Sequence, residues 1–261
     1  AGDPNSGRTD LAGNPRLVGA AVDLGCYEQQ TAIADAPVQC AFEPSATRSA
    51  PGQPLEVVFT GYSVGNTANI SAVWDFGDGN TAASWPLATN TYTTPGRYTV
   101  TLTVTGDGGT DTCTMTGCIT IVPAICYVKE GSTGVYPYDS WDKATAILAD
   151  AVAVGPATVI VTNGTYIIDA PFIALPSKIT IRSVEGPART ILDSLPGNTS
   201  ICHRHFTISH DEAVVSGFTL TNGWANYSQI GLFAPSVSMS AGLLTNCVIR
   251  GQQRVSRSPA F

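Results

Sequence analysis

The stretch YTVTLTVT at residues 98–105 constrains the fold more than any other part of the chain. Tyr98, Val100, Leu102 and Val104 alternate strictly with Thr99, Thr101, Thr103 and Thr105. A period of two sends the apolar set to one face and the threonines to the other, as in a half-buried antiparallel strand. LEVVFT at residues 55–60 repeats the pattern, with Leu55, Val57 and Phe59 on one face. Turn signals at GDG (77–79), TPG (94–96) and GDGG (106–109) separate such runs. About seven short strands between Pro37 and Val122 predict an antiparallel β-sandwich.

Composition extends the all-β reading to the whole chain. Of 261 residues 43% are hydrophobic and only 13% charged, with 26 Gly and 17 Pro, and little of the chain has helical periodicity. The net charge of −7 argues against nucleic acid or an anionic membrane surface as partner, since both need a basic face. No apolar run approaches the ~20 residues of a spanning helix, so no membrane insertion is expected. The chain opens with AGDPNSGRTD, which has no signal-peptide pattern, as expected of a mature chain or a fragment. Seven cysteines occur, none in a CxxC pair, and their spacing does not suggest zinc. A disulfide from Cys40 to either Cys113 or Cys118 is expected, because all three fall in the presumed sandwich. Cys202 and Cys247 read as small buried hydrophobes.

The motif WDFGDG at residues 74–79, with Tyr92 and PGRYTVTLTV after it, resembles the hallmark of the PKD family. That resemblance implies an Ig-like sandwich over residues 38–123. Trp74 and Phe76 share a face and point into the core, Tyr98 belongs to the same motif core, and Gly77 and Gly79 permit the tight turn. Asp75 and Asp78 have two readings. They hydrogen-bond the turn's own backbone, or they offer carboxylate ligands to a calcium ion.

After Pro123 the chain reads as a strand, a loop and one amphipathic helix. Trp141, Ala144, Leu148 and Val152 recur at spacings of three and four, with Asp139 or Ser140 as cap. The runs TVIVTNGTY, SKITIRSVEGPARTILDS, VVSGFTLTNG and LLTNCVIRG follow, without helices between them. Ile179 and Ile181 face one way while Lys178, Thr180 and Arg182 face the other. Such spacing indicates a β-solenoid. Residues 124–251 resemble the opening rungs of a right-handed, pectate-lyase-like parallel β-helix, which implies a short capping helix before the first rung.

The N-terminal residues 1–30 resemble the closing segment of secreted bacterial β-helix proteins, on Asp10, Gly13, Pro15, Arg16, Gly19, Val22, Asp23, Gly25, Tyr27 and Glu28. Residues 31–37 read as a linker, and residues 252–261 as a disordered tail. A closing segment ahead of opening rungs has two readings. The chain is a piece of a longer protein of alternating modules, or its ends meet head to tail and build a filament.

CHRHFTISHDE contains all three histidines, His203, His205 and His210, followed by Asp211. This polar cluster reads as the solvent-facing side of a rung or as a metal site. Carboxylates for glycoside cleavage are few: Asp193, Asp211 and Glu212, the last two adjacent and facing opposite ways on a strand. The expected function is therefore a non-catalytic extracellular or cell-surface module of structural or adhesive type. Its expected partners are copies of itself, other surface proteins or a polysaccharide touched through Tyr62, Trp224 or Tyr227. The alternative is a fragment of a polysaccharide lyase or hydrolase.

Overall fold

A computed structural model describes residues 17–18, 21–22, 36–169, 171–194, 204–225, 236–251 and 253–254. Most of the expected closing segment and linker, together with His203, Cys202 and Tyr227, lie outside the described residues. Within residues 1–30, β1 (Leu17–Val18) pairs antiparallel with β2 (Ala21–Val22). The rest is all-β apart from one short helix and divides into two compact units.

The first unit is an antiparallel sandwich. One sheet has the order β3 (Gln39–Pro44), β4 (Leu55–Val64), β7 (Leu87–Tyr92). The other has the order β6 (Thr81–Ala82), β5 (Ser71–Asp75), β8 (Gly96–Gly106), β9 (Gly109–Ile121). The alternation works as the sequence dictates. Val57, Phe59, Val100, Leu102 and Val104 are fully buried between the sheets. The outward threonines of β8 meet those of β9, with Thr101–Thr114, Thr103–Thr112 and Thr105–Thr110 hydroxyls 3.0–3.1 Å apart.

The second unit is a parallel β-solenoid of about four turns. Its three faces are stacks of parallel strands. The first stack is β10 (Ile125–Val128), β11 (Thr158–Val161), β14 (Thr180–Ser183), β17 (Val214–Ser216) and β21 (Leu243–Thr245). The second is β12 (Gly164–Ile167), β15 (Thr190–Asp193), β18 (Thr219–Thr221) and β22 (Val248–Arg250). The third is β13 (Ile173–Leu175), β16 (Phe206–Ile208) and β20 (Val237–Met239). In-register pairing lines inward side chains into columns: Cys126–Val159–Ile181–Val215–Leu244, Tyr166–Leu192–Leu220–Ile249, and Ile173–Phe206–Val237. Before the last rung each column buries its members against the rungs above and below, about 1.5–3 kcal/mol for each large side chain.

Two expectations are corrected here. The capping helix is α1 (Leu148–Val154), shorter than the periodicity from Trp141 predicts, and its N-cap Ile147 makes no side-chain cap bond. The residues before it are claimed by β10 instead. Thr145 N–H donates to the Tyr127 carbonyl, and Lys129 N–H donates to that of Thr145. Asp139 accepts from Lys143 rather than capping, and Trp141 packs on Tyr127 with ring centroids 4.5 Å apart. Leu148, Ala151 and Val154 still close the solenoid core. The second correction concerns the tail. Gln253–Arg254 forms β23, paired in parallel with β19 (Trp224–Ala225), so part of the stretch expected to be disordered continues a rung.

Candidate functional site

The WDFGDG turn is built on an aromatic core. Trp74 is fully buried, its Nε1–H donates to the Ser84 carbonyl at 2.9 Å, and its ring meets Phe42, Phe59 and Phe76 with centroids 5.4–6.4 Å apart. Tyr92 is buried and its hydroxyl donates to the Phe76 carbonyl at 3.0 Å. Tyr98 is half-buried, its ring centroid 4.8 Å from that of Tyr92. Gly77 has φ +75°, and a Cβ there would stand 2.3 Å from the Thr99 carbonyl oxygen. Gly79 has φ +94° with open space around it.

The two aspartates of this turn act on the turn itself. Asp75 Oδ1 accepts from the Gly77 N–H at 2.9 Å. Asp78 Oδ1 accepts from the Asn80 N–H, while its Oδ2 accepts from the side-chain amides of Asn80 and the buried Asn90. These are the Asx-type bonds that a short acidic side chain makes when the backbone turns. Among the described residues no group of three or more His, Cys, Asp or Glu is arranged to hold a metal ion.

The cysteines of the sandwich sort differently from the Cys40–Cys118 expectation. Cys40 Sγ donates to the Leu102 carbonyl at 3.6 Å, and Cys113 Sγ donates to the same oxygen at 3.7 Å. Cys118 Sγ lies instead against the Tyr98 carbonyl. Four residues of extended strand separate those two carbonyls by about 13 Å, which leaves Cys40 and Cys118 sulfurs at least about 5 Å apart, where a disulfide needs about 2 Å. All three thiols are free, and Cys113 is the neighbour of Cys40.

The histidine cluster is dispersed. His205 is fully buried and points inside the solenoid, with Nε2 donating to the Leu192 carbonyl at 3.0 Å. It sits at the corner just before β16, where His205 and Phe206 are both buried, so strand alternation does not govern it. Burial lowers its pKa against opposing contributions from main-chain groups of Leu192, Thr221 and Ser236 and from Asp193. His210 lies beyond the other end of β16, where Nδ1 accepts from the Glu212 N–H at 3.1 Å. Asp211 and Glu212 occupy a turn, not a strand, and both are exposed.

Glu212 pairs with Lys178 of the preceding rung at 2.8 Å, which holds its carboxyl below the usual range. Asp193 accepts from the Asn222 side-chain amide at 2.9 Å. Asn222 adopts φ +59°, a left-handed turn conformation that Asn tolerates better than most residues. Two side chains missed altogether are Thr190 and Ser194, fully buried in the solenoid with hydroxyls that have no hydrogen-bond partner. Thr190 opens β15 and Ser194 follows its last residue, so both share the inward face with Leu192; the period-two alternation that places them inside is masked by their polar type. Of the aromatics considered for sugar contact, Tyr62 is exposed on the outer face of β4 and its hydroxyl donates to Glu43.

Residues 35–121 match the family model described as PKD domain, and this part of the chain is a PKD domain. The chain is similar to solved PKD1 domains of Vibrio anguillarum Epp (31% identity, TM-score 0.28) and the Vibrio cholerae metalloprotease PrtV (35%, 0.27), each covering 33% of this chain and 98% of its own. It is also similar to a structure titled for promiscuous carbohydrate-binding modules of the β-sandwich superfamily (29% identity, TM-score 0.31), covering 41% of this chain and 42% of that one. No curated protein sequence matches the chain. No helix among the described residues is long and apolar enough to cross a membrane.

Proposed function

We propose that this is a non-catalytic bacterial module, secreted or held at the cell surface, whose solenoid stacks head to tail on a second copy of the chain. One observation carries the reading. Inward columns that are fully buried at Ile208 and Leu220 are open one rung later, where Met239 is 42% and Ile249 50% exposed. Among the described residues no strand pairs with the far edges of β20, β21 or β22. A solenoid rung buries its apolar face only against a neighbour, and free strand edges template further pairing. A head-to-tail contact of this kind is heterologous and propagates into a filament. Light scattering and negative-stain imaging over a concentration series test it. Growing oligomers that disappear when residues 1–30 are deleted are expected; a monomer at every concentration overturns the reading.

A second reading, contact with polysaccharide, has its own observation. The exposed Tyr62 ring lies beside the Glu43 carboxylate on the outer sheet face. A ring face stacks on a sugar while a carboxylate accepts from its hydroxyls. Calorimetric titration with soluble polysaccharides, repeated on Tyr62→Ala, tests this. Depolymerisation of pectin, alginate or xylan, with or without calcium, would instead establish the lyase or hydrolase alternative.

A further inference from the structure

We propose that Cys40 and Cys113 form a disulfide that staples the two sheets of the PKD sandwich together at one edge. Cys40 lies on β3, the edge strand of the three-stranded sheet, and Cys113 on β9, the edge strand of the four-stranded sheet. The threonine pairs along β8 and β9 set a register in which Cys113 stands opposite Leu102, a residue fully buried in the core. Cys40 shares the inward face of β3 with the buried Phe42, two residues on. Both thiols therefore enter the same inter-sheet space from opposite sheets.

Their geometry is closer than a shared region. Two sulfurs bonded to one oxygen, at 3.6 and 3.7 Å, lie within about 7 Å of each other, and rotation about each Cα–Cβ bond can shorten that further. The Cys113 thiol is the electrostatic neighbour of the Cys40 thiol. The two strands are already tied at this point, because the Cys40 N–H donates to the side-chain carboxylate of Asp111 on β9 at 2.8 Å. Burial pushes the Cys40 thiol up, and the neighbouring Cys113 and Asp111 push it further. A thiol so held is a poor nucleophile at neutral pH, which fits a structural half-cystine and not a catalytic one.

The oxidant is a small-molecule disulfide such as oxidised glutathione. One protein thiolate attacks it, releasing a first thiol and leaving a mixed disulfide. The second protein thiolate then displaces the other half. Two S–H bonds and one S–S bond break, one S–S bond forms in the protein, and two electrons and two protons end on two released thiols. The closed loop spans about 70 residues, the long-loop case in which cross-linking restricts the unfolded chain most.

The test uses the full chain, reduced and then incubated with oxidised glutathione. Remaining thiols are alkylated, and the protein is digested and mapped by mass spectrometry without reduction. A peptide pair joined through Cys40 and Cys113 is expected, absent from Cys40→Ser and Cys113→Ser and retained in Cys118→Ser. The oxidised wild-type chain should melt about 10 °C or more above the reduced one, a comparison that needs no variant to fold. Alkylation of both residues after oxidation, a stable glutathione adduct, or linkage of either residue to another cysteine would overturn the proposal.

Discussion

The Tyr92 hydroxyl donates to the main-chain oxygen of Phe76 at 3.0 Å, with Tyr92 only 1% exposed. The bond ties the end of β7 to the residue that leaves β5, so one side chain holds the entry to the WDFGDG turn. Tyr92→Phe keeps the ring and removes the donor, leaving a buried carbonyl short of a partner. The expected cost is about 1–2 kcal/mol, or a melting temperature lower by about 5–10 °C, read by scanning calorimetry.

Gly77 and Gly79 separate two causes that usually act together. Both have positive φ, but only at Gly77 would a Cβ meet backbone, 2.3 Å from Thr99 O. Gly79→Ala should cost about 1 kcal/mol through conformation alone. Gly77→Ala must also push β8 aside and should cost at least about 3 kcal/mol. Urea denaturation of the two variants compares them directly, and equal losses would contradict the crowding at Thr99.

Asp78 is the hub of its turn, accepting from Asn80 twice and from Asn90 once. Asp78→Ala leaves the buried Asn90 amide without this acceptor and should cost about 1–3 kcal/mol. With its oxygens engaged in this way, millimolar calcium should leave the wild-type melting temperature unchanged. A calcium-dependent rise, abolished in Asp75→Asn, would establish the metal reading.

The sandwich was legible because its information is periodic. Val57, Phe59, Val100, Leu102 and Val104 declare their face by position alone, and every one is buried. The solenoid columns were legible at Ile179 and Ile181 for the same reason. What failed was wherever a corner or an edge overrides the period. The apolar spacing of Trp141 and Ala144 is helical, yet the free edge of β10 takes the backbone bonds that a helix would need. His205 is polar by type and buried by place, because a corner turns it inward before β16 begins. The choice between Cys113 and Cys118 depended on the β8–β9 register, which no spacing within one strand reveals.

Cys126 gives the solenoid an alkaline limit. It is fully buried, with Sγ donating to the Pro137 carbonyl at 3.2 Å. Burial, with a smaller contribution from Asp139, pushes its thiol up to about 12. A folded pKa above the unfolded value of about 9 means that the unfolded chain loses its proton first. Stability is full below about pH 9 and falls as pH rises towards 12. Tyr166, also raised chiefly by burial, adds to the fall once its unfolded value of about 10 is reached. Urea midpoints taken between pH 8 and 11 should decline, and in Cys126→Ala the decline should be shallower, because Cys247, also raised chiefly by burial, still titrates.

His205 sets the corresponding acid limit, with the opposite sign. Its Nε2 faces the Leu192 carbonyl and so carries the proton, while the buried Nδ1 has no partner. A second proton would place a charge on a ring sealed from water, and burial outweighs the main-chain groups of Leu192, Thr221 and Ser236 and the Asp193 carboxylate in fixing the direction of the shift. With the folded pKa below the unfolded value of about 6.5, the unfolded chain takes up the proton first as pH falls. This contribution to stability is complete above about pH 6.5 and is lost on going lower. His205→Gln retains an amide N–H for the Leu192 carbonyl and removes the titration. Its urea midpoint should lie below wild type at pH 7.5, and the two should converge between pH 6.5 and 5. Parallel curves over that range would show that folding does not shift the titration of His205.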